Sequence, residues 1–220
     1  MNRHNLTWIE RLEQLIQQKH MLLNPFYRAW SCGHLTRKQL QDYSKEYYSH
    51  VKAFPTYISA LHSRCDDPEI RKPLLQNLID EEAGSPNHPD LWRSFSVSLG
   101  VSPSEILAHS PSEQTKHLVN TFMEICRTSP IAAGVAALYC YESQIPAICT
   151  TKIEGLRKWY GLTHPEHYRY FSVHETADVE HSRTEKELLQ ALVQPQEEEL
   201  VLAEAGKTLD ALNEFLVQFV

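Results

Sequence analysis

Apolar positions along the chain recur every three to four residues and do not settle into alternation, which predicts helices joined by short turns. Thr7-x-x-Glu10 reads as a capping box opening a helix over 8–20. Asn24 followed by Pro25 starts a short helix through Trp30. A second capping box, Thr36-x-x-Gln39, opens a long helix to about Cys65, with a kink expected at Pro55. Asp67-Pro68 leads into a helix over 69–84. Shorter helices are expected over 90–99, 103–109 and 112–127, with Gly100 closing the first and Ser102-Pro103 opening the second. Ser129-Pro130 opens a helix that should run to Gly161. Its early part, IAAGVAALYCY, is apolar all round, as a central buried helix must be. Pro165 begins a helix through about Val193, and 196–219 supplies the last. No internal repeat, low-complexity tract or long linker divides the chain, so the expectation is a single all-α domain over residues 1–220.

Composition agrees with that picture and narrows the function. The 220 residues suit one domain, and 42 % hydrophobic with 22 % charged residues is enough to bury a full core. The formal net charge is −7 and no basic patch or tail is present, which argues against a nucleic-acid partner. The longest apolar run, Ile131 to Tyr141, is too short to span a bilayer. The N-terminal MNRHNLTWIERLEQ lacks the apolar core of a secretory signal. Cys32, Cys65, Cys126, Cys140 and Cys149 are odd in number and form no CxxC pair. Reduced thiols and a cytoplasmic setting are therefore expected.

The chemistry concentrates in YFSVHETADVEHSRTEKELL. On a helix, His174, Asp178 and His181 stand at i, i+4 and i+7, so all three project from one face. Two imidazoles and a carboxylate make half of a nitrogen/oxygen site for transition metals. A second half is available in Glu81 and His88 of DEEAGSPNHPDLW and Glu142 of LYCYESQIP. Each element alone has an ordinary alternative. The first is equally a solvated helix face, the second a helix end with a loop histidine, the third a carboxylate paired with a buried Arg or Tyr. Glu142 nonetheless follows a strongly apolar stretch, where a lone carboxylate is costly. Pro146 cannot donate to the carbonyl of residue 142, so the helix should be perturbed there. Together, three histidines and three carboxylates suffice for two metal ions in a helical bundle. Two divalent ions bring four positive charges against three negative ones, which leaves room for a bridging hydroxide or an oxygen species. The donor set suits iron(II), with manganese(II) as an alternative in one position, and zinc accepts the same donors.

The segments KAFPTYISALHSRCDD, DEEAGSPNHPDLW, AAGVAALYCYESQIP and HETADVEHSRTEK resemble, in order and spacing, the branch of haem-oxygenase-like proteins typified by the chlamydial proteins associating with death domains. The resemblance runs from about Gln18 to Leu189. It implies a seven-helix bundle related to the pyrroloquinoline-quinone synthase and TenA types. It also implies a di-metal centre of Glu81, His88, Glu142, His174, Asp178 and His181. The implied activity is oxygen-dependent synthesis of 4-aminobenzoate, a folate precursor, with O2 and an external reductant consumed. In that branch the carbon skeleton is taken from one of the protein's own tyrosines and the nitrogen from one of its lysines. The matching residues here are Tyr27 of NPFYRAW and Lys152 of CTTKIEGL. Tyr141, beside Glu142 and eleven residues before Lys152, would share a face with Lys152 on a continuous helix. It is the expected relay, with Tyr43, Tyr47 and Tyr170 as further candidates. The resemblance further implies a homodimer.

Four other functions compete. One is a metal-free cofactor oxidase of the quinone-synthase type, which would not need all six ligands. The chain could be a di-metal oxidase of an external small molecule, with Tyr27 merely lining its pocket. Thiaminase-type chemistry would need an activated thiol, for which Cys140 and Cys149 are the candidates by location. Finally, an interaction protein binding host death-domain proteins, after export from the cytoplasm, would meet a basic partner with this acidic surface.

Overall fold

The computed structural model describes residues 6–220, so residues 1–5 of the N-terminal segment lie outside it. Eleven α-helices are present among the described residues, and no strand. They are α1 (Trp8–Gln18), α2 (Pro25–Ser31), α3 (Arg37–Arg64), α4 (Pro68–Glu82), α5 (His88–Ser98), α6 (Pro103–Ala108), α7 (Glu113–Thr128), α8 (Ile131–Glu142), α9 (Ile145–Trp159), α10 (Arg169–Leu192) and α11 (Glu198–Val217). The all-helical architecture is as expected, while the path is cut into more pieces than seven.

Local signals account for most helix starts. Both capping boxes form: the Thr7 and Thr36 hydroxyls accept from the third helical N–H, and Glu10 and Gln39 return the bond. Asn24 and Asp67 cap α2 and α4 ahead of their prolines. Helix α3 runs through Pro55 without interruption. The first turn of the 165–193 segment is a 3-10 turn, Pro165–Tyr168, before α10 begins.

The expected single helix from 130 to Gly161 does not form. It divides at Ser143–Gln144, because Pro146 offers no N–H to the carbonyl of residue 142 and its ring clashes there. The Gln144 side chain fills the gap in the hydrogen bonding. Its amide donates to the Cys140 carbonyl, and its oxygen accepts from the Met21 N–H at 2.8 Å. Helix α8 is buried along its whole length after Ile131 and packs against α7, α10 and α11, with α3 beside it. Its small residues allow that approach: a Cβ on Gly134 would lie 2.2 Å from the Leu61 side chain.

Helix α9 is held against α2 and α10. A Cβ on Gly155 would stand 2.6 Å from the Trp30 indole, which is fully buried and donates to the Lys152 carbonyl at 3.2 Å. Gly155→Ala is therefore expected to destabilise the fold by about 1–3 kcal/mol through overpacking. The opposing gain in helix propensity is ~1 kcal/mol. A fall in the urea midpoint with unchanged slope would show this, and an unchanged or raised midpoint would contradict it.

Candidate metal centre and its aromatic annex

Four helices deliver the six predicted ligands to one buried place. His174, Asp178 and His181 project from α10 on one face, as their spacing requires, and all three are buried. Glu81 lies on the last full turn of α4, and Glu142 is the final residue of α8. His88 does not share a helix with Glu81. Helix α4 stops at Glu82, and His88 is the first residue of α5, capped by Asn87. The intervening turn folds His88 back until its Nδ1 is 3.0 Å from Glu81 Oε2.

The structure sorts the six into two trios. The donor atoms of Glu81, His88 and His174 lie within 4.8 Å of one another, and so do those of Glu142, Asp178 and His181. His88 and His174 face each other with ring centroids 4.2 Å apart. His174 Nδ1 donates to the Tyr170 carbonyl at 2.7 Å, which leaves Nε2 as a free lone pair toward Glu81, 4.0 Å away. His181 Nε2 meets Asp80 Oδ2 at 3.1 Å, while Nδ1 faces Glu142 at 3.2 Å and Asp178 at 3.9 Å. A carboxylate or carbonyl behind each imidazole is the usual way to fix a metal-binding tautomer.

The donor chemistry fits metal ions. His88 Nδ1 and Asp178 Oδ2 are buried without a hydrogen-bond partner. Among the described residues, no Lys or Arg makes a salt bridge to Glu81, Glu142 or Asp178; their ion-pair neighbours are histidines. Burial, then the Glu142 and Glu81 carboxylates, push Asp178 well above the usual carboxylate range. Burial and the neighbouring His88 hold His174 well below the ordinary histidine value, so it stands as a neutral imidazole, the form that can bind a metal. His181 loses some affinity for its proton by burial but gains more from Glu142 and Asp80, which bring it up to about 9. Burial raises Glu142 too, but Glu185, His181 and Asn77 outweigh it and leave it lowered. A cluster so short of positive charge is the environment a pair of cations would complete.

Tyr27, Tyr141 and Lys152 are buried in an aromatic annex to this centre. The Lys152 amine donates to the Tyr43 hydroxyl at 2.5 Å. It lies 5.6 Å from the Tyr27 ring centroid, 4.9 Å from that of Tyr43, 5.2 Å from Tyr47, 5.0 Å from Phe171 and 5.5 Å from Trp92. Among the described residues no carboxylate pairs with it, and burial lowers its pKa to about 7. Desolvation likewise raises Tyr27 well above the usual phenol value, aided by Tyr47 and Cys149.

The expected shared face of Tyr141 and Lys152 is lost with the break between α8 and α9. Tyr47 links them instead: its hydroxyl is 2.7 Å from that of Tyr141, and its ring flanks the Lys152 amine. An unbroken aromatic route connects annex and ligands. Tyr43 stacks on Tyr47 at 5.4 Å, Tyr47 meets Trp92 at 4.8 Å, Trp92 meets Tyr170 at 4.8 Å, and Tyr170 stacks on His174 at 4.0 Å.

Sequence reasoning passed over Asp80, Asn77, Trp92 and Glu185. Asn77 donates to both Glu142 oxygens at 3.1 and 3.2 Å. It stands one turn before Glu81, and Glu185 one turn after His181, so helical spacing carried a signal for both. Nothing in the sequence marked Asp80 or Trp92. The five cysteines are all free. Burial raises both Cys140 and Cys149, so neither is activated for thiaminase-type attack. No helix among the described residues is long and apolar enough to cross a membrane.

Comparison with known proteins adds to this geometry. The model of the TENA/THI-4/PQQC family matches residues 9–220. A Chlamydia muridarum protein named 4-aminobenzoate synthase is 51 % identical over 216 residues, spanning 98 % of this chain and 91 % of the relative. A Chlamydia trachomatis protein of the same name is 52 % identical over 98 % of this chain and 93 % of its own. Among solved structures, a domain with a heme oxygenase-like fold from Shewanella denitrificans superposes with a TM-score of 0.84 at 20 % identity. That match covers 98 % of this chain and 93 % of the other, and it establishes the fold.

Proposed function

The chain belongs to the TENA/THI-4/PQQC family, and from that premise we propose that it is an enzyme making 4-aminobenzoate from its own Tyr27 and Lys152. The observation that carries the reading is the Lys152 amine, buried without a counter-ion among Tyr27, Tyr43 and Tyr47 and joined by aromatic contacts to the ligand cluster. The names of the chlamydial relatives, about half identical over nearly the whole chain, support the same product.

The product needs a benzene ring with a carboxyl and an amine para to one another. A tyrosine side chain has the ring, a benzylic carbon that can become the carboxyl on cleavage from Cα, and a para oxygen that nitrogen can replace. Lys152 has the nitrogen: near neutral pH its desolvated amine keeps the lone pair that attack on carbon requires, and its Cε–Nζ bond must then break to free the product. The surrounding rings exclude water and hold the amine beside the phenols. When bound by the two trios, redox-active ions of the iron or manganese class would supply activation of O2, with electrons from an external reductant. Tyr47 and Tyr141, joined hydroxyl to hydroxyl, and Trp92 are placed to carry electrons between the ligands and the annex. Each chain would act once.

The test is mass spectrometry of the purified protein after exposure to iron(II), manganese(II), a reductant and O2, without added substrate. The expected result is free 4-aminobenzoate with mass lost at Tyr27 and altered at Lys152. An intact chain that yields product only when a metabolite is supplied would instead mark an oxidase of an external substrate.

The pH profile offers a second check. The free amine is the nucleophile, so with metal preloaded the initial rate should rise as pH rises through about 7 and then level. A rate that is flat or falling across pH 6–8 would contradict the role given to Lys152.

A further inference from the structure

Helices α4 and α10 part on the outer side of the ligand cluster to leave a cleft of about 480 Å³. Its lining holds four carboxyl groups, of which Glu69 is paired with Lys72 and Glu180 with Arg183, while among the described residues Asp80 and Glu185 have no Lys or Arg partner. Asp80 stands at the mouth with a side chain 39 % exposed. His181 forms part of the wall, its Nε2 turned outward to Asp80 and its Nδ1 inward to Glu142. Behind it sits Glu185, 4 % exposed, facing Glu142. Among the described residues, no backbone N–H and no Asn, Ser, Thr, Lys or Arg side chain donates to either Glu185 oxygen.

Two buried carboxyl groups that face each other are unfavourable as anions unless a shared proton, or a cation that takes its place, lies between them. Glu185 also continues the α10 ligand face, one turn beyond His181. Yet it stands outside the trio of Glu142, Asp178 and His181, whose donor atoms already converge. Placed between Asp80 at the mouth and a complete trio, it is suited to receiving an ion and releasing it inward.

Resting on the metal-centre reading above, we propose that the cleft between α4 and α10 is the inlet for divalent metal ions. Glu185 takes the ion from the mouth and passes it to Glu142, Asp178 and His181. Asp80 draws the ion in, and the His181 ring, bonded on both sides, is the gate it passes.

The experiment is rapid mixing of metal-free protein with manganese(II), following loss of the free-ion electron paramagnetic resonance signal, with metal content measured after equilibration. Glu185→Gln keeps the shape and removes the carboxyl oxygen that an ion would bind. Asp80→Asn does the same at the exposed mouth, and Glu113→Gln on α7 controls for net charge, its side chain being 87 % exposed and paired with Lys116. Melting curves confirm that each variant is folded. The expected result is uptake slowed at least tenfold in Glu185→Gln and several-fold in Asp80→Asn, with Glu113→Gln unchanged and two ions per chain at equilibrium in all. Wild-type rates in Glu185→Gln would overturn the inlet while leaving the metal centre standing. One ion per chain in that variant would make Glu185 a resident ligand and overturn its passing role. No manganese uptake by the wild type would overturn the metal centre and the inlet together.

Discussion

Lys152→Met is expected to abolish 4-aminobenzoate formation and, in the same variant, to raise the melting temperature. The two effects have one cause. In the unfolded chain the amine takes a proton below its ordinary pKa of 10.5, whereas in the folded protein burial delays this to about 7. Between those values the unfolded state binds more protons than the folded one, so wild-type stability falls as pH falls from 10.5 to about 7 and is level below. At 1.36 kcal/mol per pKa unit, the full penalty is about 5 kcal/mol at neutral pH and absent above pH 10.5. Met matches the length of the lysine stem and suits the aromatic wall, but it forfeits the bond to Tyr43 and any exit for that hydroxyl. A net gain of about 2–4 kcal/mol is therefore expected at pH 7 after that lost hydrogen bond. The corresponding rise in Tm is ~4–16 °C. It should shrink toward zero as pH approaches 10.5. A variant less stable than wild type at pH 7 would show that Lys152 is not held uncompensated. Undiminished product would show that its nitrogen is not used.

Glu142→Ala combined with His174→Ala should cost both metal ions, because it removes one donor from each trio. Loss of an outer hydrogen-bond partner alone costs 10–100-fold in metal affinity, so loss of a ligand from each site should exceed about 10²-fold per ion. The readouts are metal content after dialysis and the manganese-dependent rise in melting temperature. At a thousandfold excess over Kd, an ion stabilises the wild type by about 4 kcal/mol, and the double variant should show no such rise. Without metal the variant should still fold, since Glu142→Ala relieves the crowding of carboxylates around Asp178 and Glu185. Retention of two ions per chain would disprove the ligand assignment.

The parts of this molecule that were legible in the sequence are those set by near neighbours along the chain. The Thr7 and Thr36 boxes and the Asn24-Pro25 and Asp67-Pro68 starts were readable because a cap acts within one turn. The shared face of His174, Asp178 and His181 was readable because 3.6 residues per turn leaves it no alternative. Pro146 announced a perturbation after Glu142, but its outcome was a complete break, because the Gln144 side chain and Met21 satisfy the groups it frees. That last fact spans more than a hundred residues and has no local trace.

What the sequence determined by itself, then, is an all-helical chain with one candidate ligand-bearing face on α10 and a buried apolar stretch leading into Glu142. The tertiary structure decided the rest. It paired Glu81 with His88 across a helix end and divided six candidate ligands into two trios. It set Asp80 behind His181 and Asn77 on Glu142, and it opened a cleft at Glu185. It also closed a ring of aromatics from α2, α3, α5 and α10 around the amine of Lys152. The physical reason is range. Caps and helical periodicity act over three or four residues, whereas which faces meet follows from the summed burial of apolar surface across the whole chain, to which each residue contributes only a small part.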